Sequence, residues 1–176
     1  MTKGTVVFSH GQDGEPWGTK VLAMAQVARE LGFAVESVDY RDSNDPQVRI
    51  KRLLDFCQER GGPFILVGSS LGGHVAGTVS SLVPTLGLFF LAPAFYMHGY
   101  EEYTPQPAQC PITIVHGWGD DIVPVVNSIR FADEHRATLH IVNDGHRLTE
   151  STPRLCQYFR LFLLELESAS DSAGTR

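Results

Sequence analysis

The sequence predicts an α/β fold, a parallel sheet covered by helices on both faces. Short apolar runs alternate with longer segments of helical period along nearly the whole chain. Most of those helices carry clear start and stop signals. A third observation is size and composition: 176 residues, 43% apolar and 19% charged, suit one core that buries about 70% of the unfolded chain's surface.

The strand candidates are Thr5–Ser9, Ala34–Val38, Phe64–Gly68, Leu86–Leu91, Ile112–His116 and Thr138–Val142. A helix from about Gly18 to Leu31 stops at Gly32. The next opens with Asp45 as N-cap and Pro46 in the first turn. It repeats Ile50, Leu53, Leu54 and Cys57 on one face and ends at Gly61-Gly62. After Ser70, the segment Gly72 to Val79 has small or apolar residues nearly all round, fitting a helix buried between sheet and neighbours. A fourth helix starts near Pro124 and is expected to carry Val126 and Ile129 inward. The last opens at Thr152-Pro153, with Leu155, Tyr158, Phe159, Phe162, Leu163 and Leu166 as one apolar stripe. A single domain is expected over 1–167, with 168–176 as a flexible, polar tail.

The formal net charge of -6 repels phosphate backbones and anionic lipid, so neither nucleic acid nor a membrane surface is an expected partner. No apolar stretch is long enough to span a bilayer. The three cysteines, Cys57, Cys110 and Cys156, lie far apart without metal-ligand spacing. They point to a reducing, cytoplasmic location, with neither a disulfide framework nor a zinc site. No metal or other cofactor is expected.

Gly68-Ser69-Ser70-Leu71-Gly72 lies where a buried strand turns into a helix. Glycines two before and two after Ser70 let strand and helix approach, while the sharp turn strains the serine backbone and lifts its hydroxyl clear of the sheet edge. The next amide, Leu71 N–H, faces the same spot at a helix N-terminus. Ser69 has Val67 at the matching position and cannot take this part. A glycine-rich turn with an incidental serine, or a phosphate cradle, is the plainer alternative; a Walker loop would need lysine after the last glycine.

Serine needs a base, and seven histidines compete for that role. The base must reach the same sheet edge from a later strand. His146 does so, in the loop after the last strand. His10 and His116 also end strands, but each precedes glycine and is expected to brace its own loop. His74 is committed to its helix surface. Asp120 and Asp121, after the fifth strand, are candidates for the acid that orients the base, with simple capping of the following helix as the plainer alternative for such a pair.

With Ser9-His10-Gly11-Gln12, the GxSxG turn, His116-Gly117-Trp118-Gly119-Asp120-Asp121-Ile122-Val123-Pro124 and Asp144-Gly145-His146 in this order, the chain resembles a small α/β-hydrolase. The likeness is to compact dienelactone-hydrolase-like proteins and small serine carboxylesterases. The resemblance implies a three-layer fold whose six-stranded, all-parallel sheet has the order 2-1-3-4-5-6. It selects Asp120 over Asp121 and assigns a second oxyanion-hole amide to Gln12. The stretch 92–110 is too short for a cap domain. Its aromatic residues either wall an acyl pocket or pack over the sheet edge, and Trp17 and Trp118 are further candidates for pocket walls.

The expected function is hydrolysis of a small-molecule carboxylic ester or thioester through an acyl-enzyme on Ser70, with Asp120 and His146 as its partners. A non-catalytic binding or scaffold protein with an idle site is the alternative. A metal site built from His116, Asp120 and His146 is a third reading.

Overall fold

The computed structural model describes residues 3–173, with side chains through residue 169. Six strands, β1 (Thr5–Ser9), β2 (Ala34–Val38), β3 (Phe64–Ser69), β4 (Thr85–Leu91), β5 (Ile112–Gly117) and β6 (Thr138–Val142), form one sheet in the order β2-β1-β3-β4-β5-β6. Every neighbouring pair is parallel. Four of the five connections are the helices α1 (Thr19–Glu30), α2 (Pro46–Arg60), α3 (Leu71–Ser80) and α4 (Val125–His135); residues 92–111 join β4 to β5 with a single 3-10 turn, and α5 (Thr152–Ala173) comes last. No cap domain interrupts this series. Among the described residues no helix is long and apolar enough to cross a membrane.

Because side chains alternate across a strand, each strand feeds two cores. Val6, Phe8, Ile65, Val67, Phe89 and Leu91 pack under α1 and α5 with Met24, Leu155, Phe159 and Leu163. Val7, Leu66, Leu88, Phe90 and Ile114 face the other way, against Leu53, Val75, Val79 and Phe131. The expected stops Gly32 and Gly61 take positive φ, and Asp45, the expected N-cap of α2, accepts the Gln47 amide at 2.8 Å.

The inward placement of Val126 and Ile129 is corrected: they are 60% and 42% exposed. Phe131 and Ser128 set the phase of α4 instead. Phe131 stacks on Phe95 at 4.1 Å, and the Ser128 hydroxyl meets His116, so residues off that line turn outward. The segment 92–110 lies against α3, where a Cβ at Gly73 or Gly77 would come within 2.8 Å of Pro93 or Pro105. The expected tail is helical as far as Ala173, and 174–176 lie outside the described residues.

Candidate active site

A parallel sheet brings the C-terminal ends of its strands to one rim, so loops remote in sequence become neighbours there. At the end of β3, Ser70 has φ 52 and ψ −119, a strained backbone for a residue with a side chain. The neighbouring glycines are sterically required. A Cβ on Gly72 would lie 1.9 Å from the Ser9 carbonyl oxygen, and one on Gly68 would lie 2.5 Å from that of Gly72. The Ser70 amide donates to Leu91 O at 2.9 Å, fixing the turn on β4.

The loops after β5 and β6 lie side by side. Trp118 N donates to Val142 O and Gly119 N to Asp144 O, and a Cβ on Gly117 would sit 2.3 Å from that same Asp144 oxygen. This pairing brings Asp120 to His146. Their Oδ2 and Nδ1 are 2.7 Å apart, and His146 Nε2 is 3.0 Å from Ser70 Oγ. Ser70, His146 and Asp120 thus form one hydrogen-bonded chain. Asp121 is exposed and outside it.

The Asp120 side chain is fully buried. Burial pushes its carboxyl up. The His146 hydrogen bond and the Val123 and Ile122 amides on Oδ1 outweigh that push and hold it below the ordinary aspartate value. His116 Nε2 approaches the same Oδ2 at 2.9 Å. Among the described residues, no group of three or more His, Cys, Asp or Glu side chains could hold a metal ion.

Beside Ser70 lies a cleft of about 400 Å³. Phe8, Met24, Val67 and Leu91 give it apolar walls, and Gln12, Lys20 and His146 also line it. Trp17, Trp118 and the segment 92–110 do not line this cleft; the aromatic loop packs against α3 instead. A larger hollow of about 550 Å³, lined by Lys3, Phe33, Pro63 and Pro111, opens at the opposite end of the strands, away from Ser70. Leu71 is the first residue of α3, so its amide has no acceptor within its own helix. Gln12 follows the His10-Gly11 turn and lines the cleft with Ser70.

The sequence reading missed Arg49, which is fully buried and donates to carbonyls of the loop after β1. The signal was present: Arg49, Leu53 and Cys57 recur every four residues on the buried face of α2. Lys20 was missed too. Its ammonium donates to Arg147 O at 2.9 Å, tying α1 to the loop of His146, and burial lowers its pKa to about 8.

A family model described as "Alpha/beta hydrolase family" matches residues 6–168. The bovine mitochondrial palmitoyl-protein thioesterase ABHD10 is 26% identical over 82% of this chain, which spans about two thirds (67%) of that relative's length. A crystal structure described as a hydrolase of the alpha/beta superfamily, from Xanthomonas campestris pv. campestris, superposes with a TM-score of 0.86. It is 33% identical, over 94% of this chain and 99% of that one. Est1E from Butyrivibrio proteoclasticus, 16% identical over 95% of this chain and 89% of its own, has a TM-score of 0.83 and shares the fold.

Proposed function

This chain belongs to the alpha/beta hydrolase family, and from that premise we propose that it is a serine hydrolase cleaving a small carboxylic ester or thioester through an acyl-enzyme on Ser70. The observation that carries the reading is the continuous Ser70–His146–Asp120 chain at a strained turn beside an apolar cleft. The thioesterase named for the bovine relative supports the thioester as one substrate class.

In this reading Ser70 Oγ attacks the carbonyl carbon as its proton passes to His146 Nε2. Asp120, already ionised, stabilises the imidazolium through Nδ1. The carbonyl electrons move to oxygen, which the Gln12 and Leu71 amides receive. Collapse expels the alcohol or thiol, which takes the proton from Nε2 and leaves the acyl group on Ser70. A water molecule then gives its proton to His146 and attacks the acyl carbon. The acid leaves, and Ser70 recovers its proton. The apolar walls of the cleft suit the acyl group, and no cofactor takes part. Three free cysteines fit a reducing, cytoplasmic setting.

The test is ester and thioester turnover by wild type and Ser70→Ala. The variant should lose about a million-fold in kcat, the joint effect of removing such a nucleophile. A fluorophosphonate should label wild type stoichiometrically at Ser70. Undiminished turnover in Ser70→Ala, or no labelling, overturns the proposal.

A further inference from the structure

Arg49 is fully buried, yet its hydrogen-bonding partners are neutral oxygens. Nε donates to Ser43 O at 2.7 Å, and Nη2 donates to Asn44 Oδ1 at 2.9 Å and to Tyr40 O at 3.5 Å. These contacts anchor the guanidinium from behind. In front, Nη1 donates to His10 O at 3.1 Å and Gly11 O at 3.2 Å, while Nη2 reaches Gln12 O at 3.5 Å. Three consecutive carbonyls of one loop therefore turn toward one cation. A buried positive charge with no carboxylate hydrogen-bonded to it is costly, and filling the space alone would be served as well by an apolar side chain.

The loop stands between Arg49 and the cleft. Gly11, Gln12 and Ser70 line the cleft and Arg49 does not. A Cβ on Gly11 would lie 3.3 Å from Ser70 Cβ, so the loop lies against the serine. In a trans peptide, the C=O of one residue and the N–H of the next point in opposite directions. Holding Gly11 O on the guanidinium therefore directs Gln12 N–H away from Arg49, to the side where the serine stands. Gly11 O is held further by His10 Nδ1 at 2.8 Å and Gly14 N at 3.2 Å. The cation also lies behind the carbonyl end of that peptide. There it polarises the N–H and adds to the favourable field on an anion in front.

We infer that Arg49 is a positioning residue of the reaction: its guanidinium fixes the Gly11–Gln12 peptide so that the Gln12 N–H is preset for the oxyanion formed at Ser70. This rests on the serine-hydrolase reading above. Arg49 touches no substrate and acts through the peptide it holds.

A readout confined to the oxyanion distinguishes this role from simple support of the fold. A thionoester carries sulfur, a poor hydrogen-bond acceptor, where the ester carries oxygen, so the ratio of oxo to thiono turnover measures how well the amides are aimed. With 4-nitrophenyl acetate and its thiono counterpart, wild type should strongly prefer the oxo ester. Arg49→Lys keeps the charge but loses the rigid fork. It should lower oxo-ester kcat by about 10–100-fold, part of the 10²–10³ seen when an oxyanion donor is removed outright. KM and the thionoester rate should stay nearly constant, so the ratio falls with kcat.

The inference is overturned if both esters slow equally, if neither changes, or if the wild-type ratio is near one. Should Arg49→Lys fail to fold, Asn44→Ala decides in its place, since it removes one anchor of the guanidinium. A smaller fall in the ratio supports the role, and an unchanged ratio overturns it. Ser70→Ala separates the two layers. If that variant still turns over the oxo ester, the serine-hydrolase reading fails; if it is dead while the Arg49→Lys ratio is unchanged, only the role of Arg49 fails.

Discussion

A histidine–glycine pair stands at the C-terminal end of both β1 and β5, His10-Gly11 just past Ser9 and His116-Gly117 closing β5; both imidazoles are buried, at 3% and 0% exposure, but their hydrogen bonds are opposite in sense. His10 Nε2 accepts the Tyr40 amide at 2.9 Å, which puts the proton on Nδ1, where it is donated to Gly11 O. His116 Nε2 faces two acceptors, Val123 O at 3.0 Å and Asp120 Oδ2 at 2.9 Å, so it carries the proton, and Nδ1 accepts the Ser128 hydroxyl. One histidine holds the Gly11 carbonyl of the loop that lies against Ser70. The other holds the carboxylate that faces His146. The dipeptide is the same, and the groups folded against its far side decide which pole of the site it supports.

The largest effect that sharpens this comparison concerns the carboxylate itself. Asp120→Asn should lower kcat by up to about ten-thousand-fold, as an amide presents the wrong partner to the imidazole. Asp121→Asn, on an exposed side chain, should leave ester turnover nearly unchanged. The reverse ranking in steady-state kinetics would remove Asp120 from the chain.

Next come the two braces. His10→Phe keeps the ring but deprives Tyr40 N–H of its acceptor and Gly11 O of one donor, so kcat should fall by roughly 10–100-fold. Arg49 still holds the loop, which limits the loss. His116→Phe should cost less, about tenfold or below, because Ile122 and Val123 amides still fix Asp120. Each variant leaves a buried polar group unsatisfied and should lose about 1–3 kcal/mol of stability in denaturant titration. Equal kcat losses would mean that the two braces do the same work.

The smallest expected effect is shared by both. Burial lowers the pKa of His10 and of His116 from the ordinary value of 6.5, and does the same at His74 and His140. Below pH 6.5 the unfolded chain therefore takes up these protons before the folded one. Stability is full above that pH and declines as pH falls through the window beneath it. Melting temperature should drop between pH 7.5 and 5.5 in wild type, and by less in the doubly substituted His10→Phe, His116→Phe protein. Parallel pH profiles would show that these two imidazoles are not the ones resisting protonation.

Much of this was legible without coordinates. Ser70, the Asp120–Asp121 pair and His146 could be placed on one rim because a parallel sheet gathers its strand ends. Asp45, Gly32 and Gly61 marked helix ends through backbone chemistry that acts within a few residues. The glycines around Ser70 announced the tight turn that Gly68 and Gly72 make possible. Hidden from the sequence were the outward faces of Val126 and Ile129, the packing of 92–110 on α3, and the burial of Arg49.

Local propensity and period act over about one helical turn, and so element order, caps and strand-end residues were determined by the sequence itself. Only the tertiary structure decided which side chains meet, because the relevant partners are distant in the chain: Arg49 reaches a carbonyl 39 residues away, and His146 reaches a hydroxyl 76 residues away. The phase of α4 followed the same logic, set by Phe131 against Phe95 and by Ser128 against His116. Long-range packing selects among faces and hydrogen-bonding arrangements that local sequence leaves equally open.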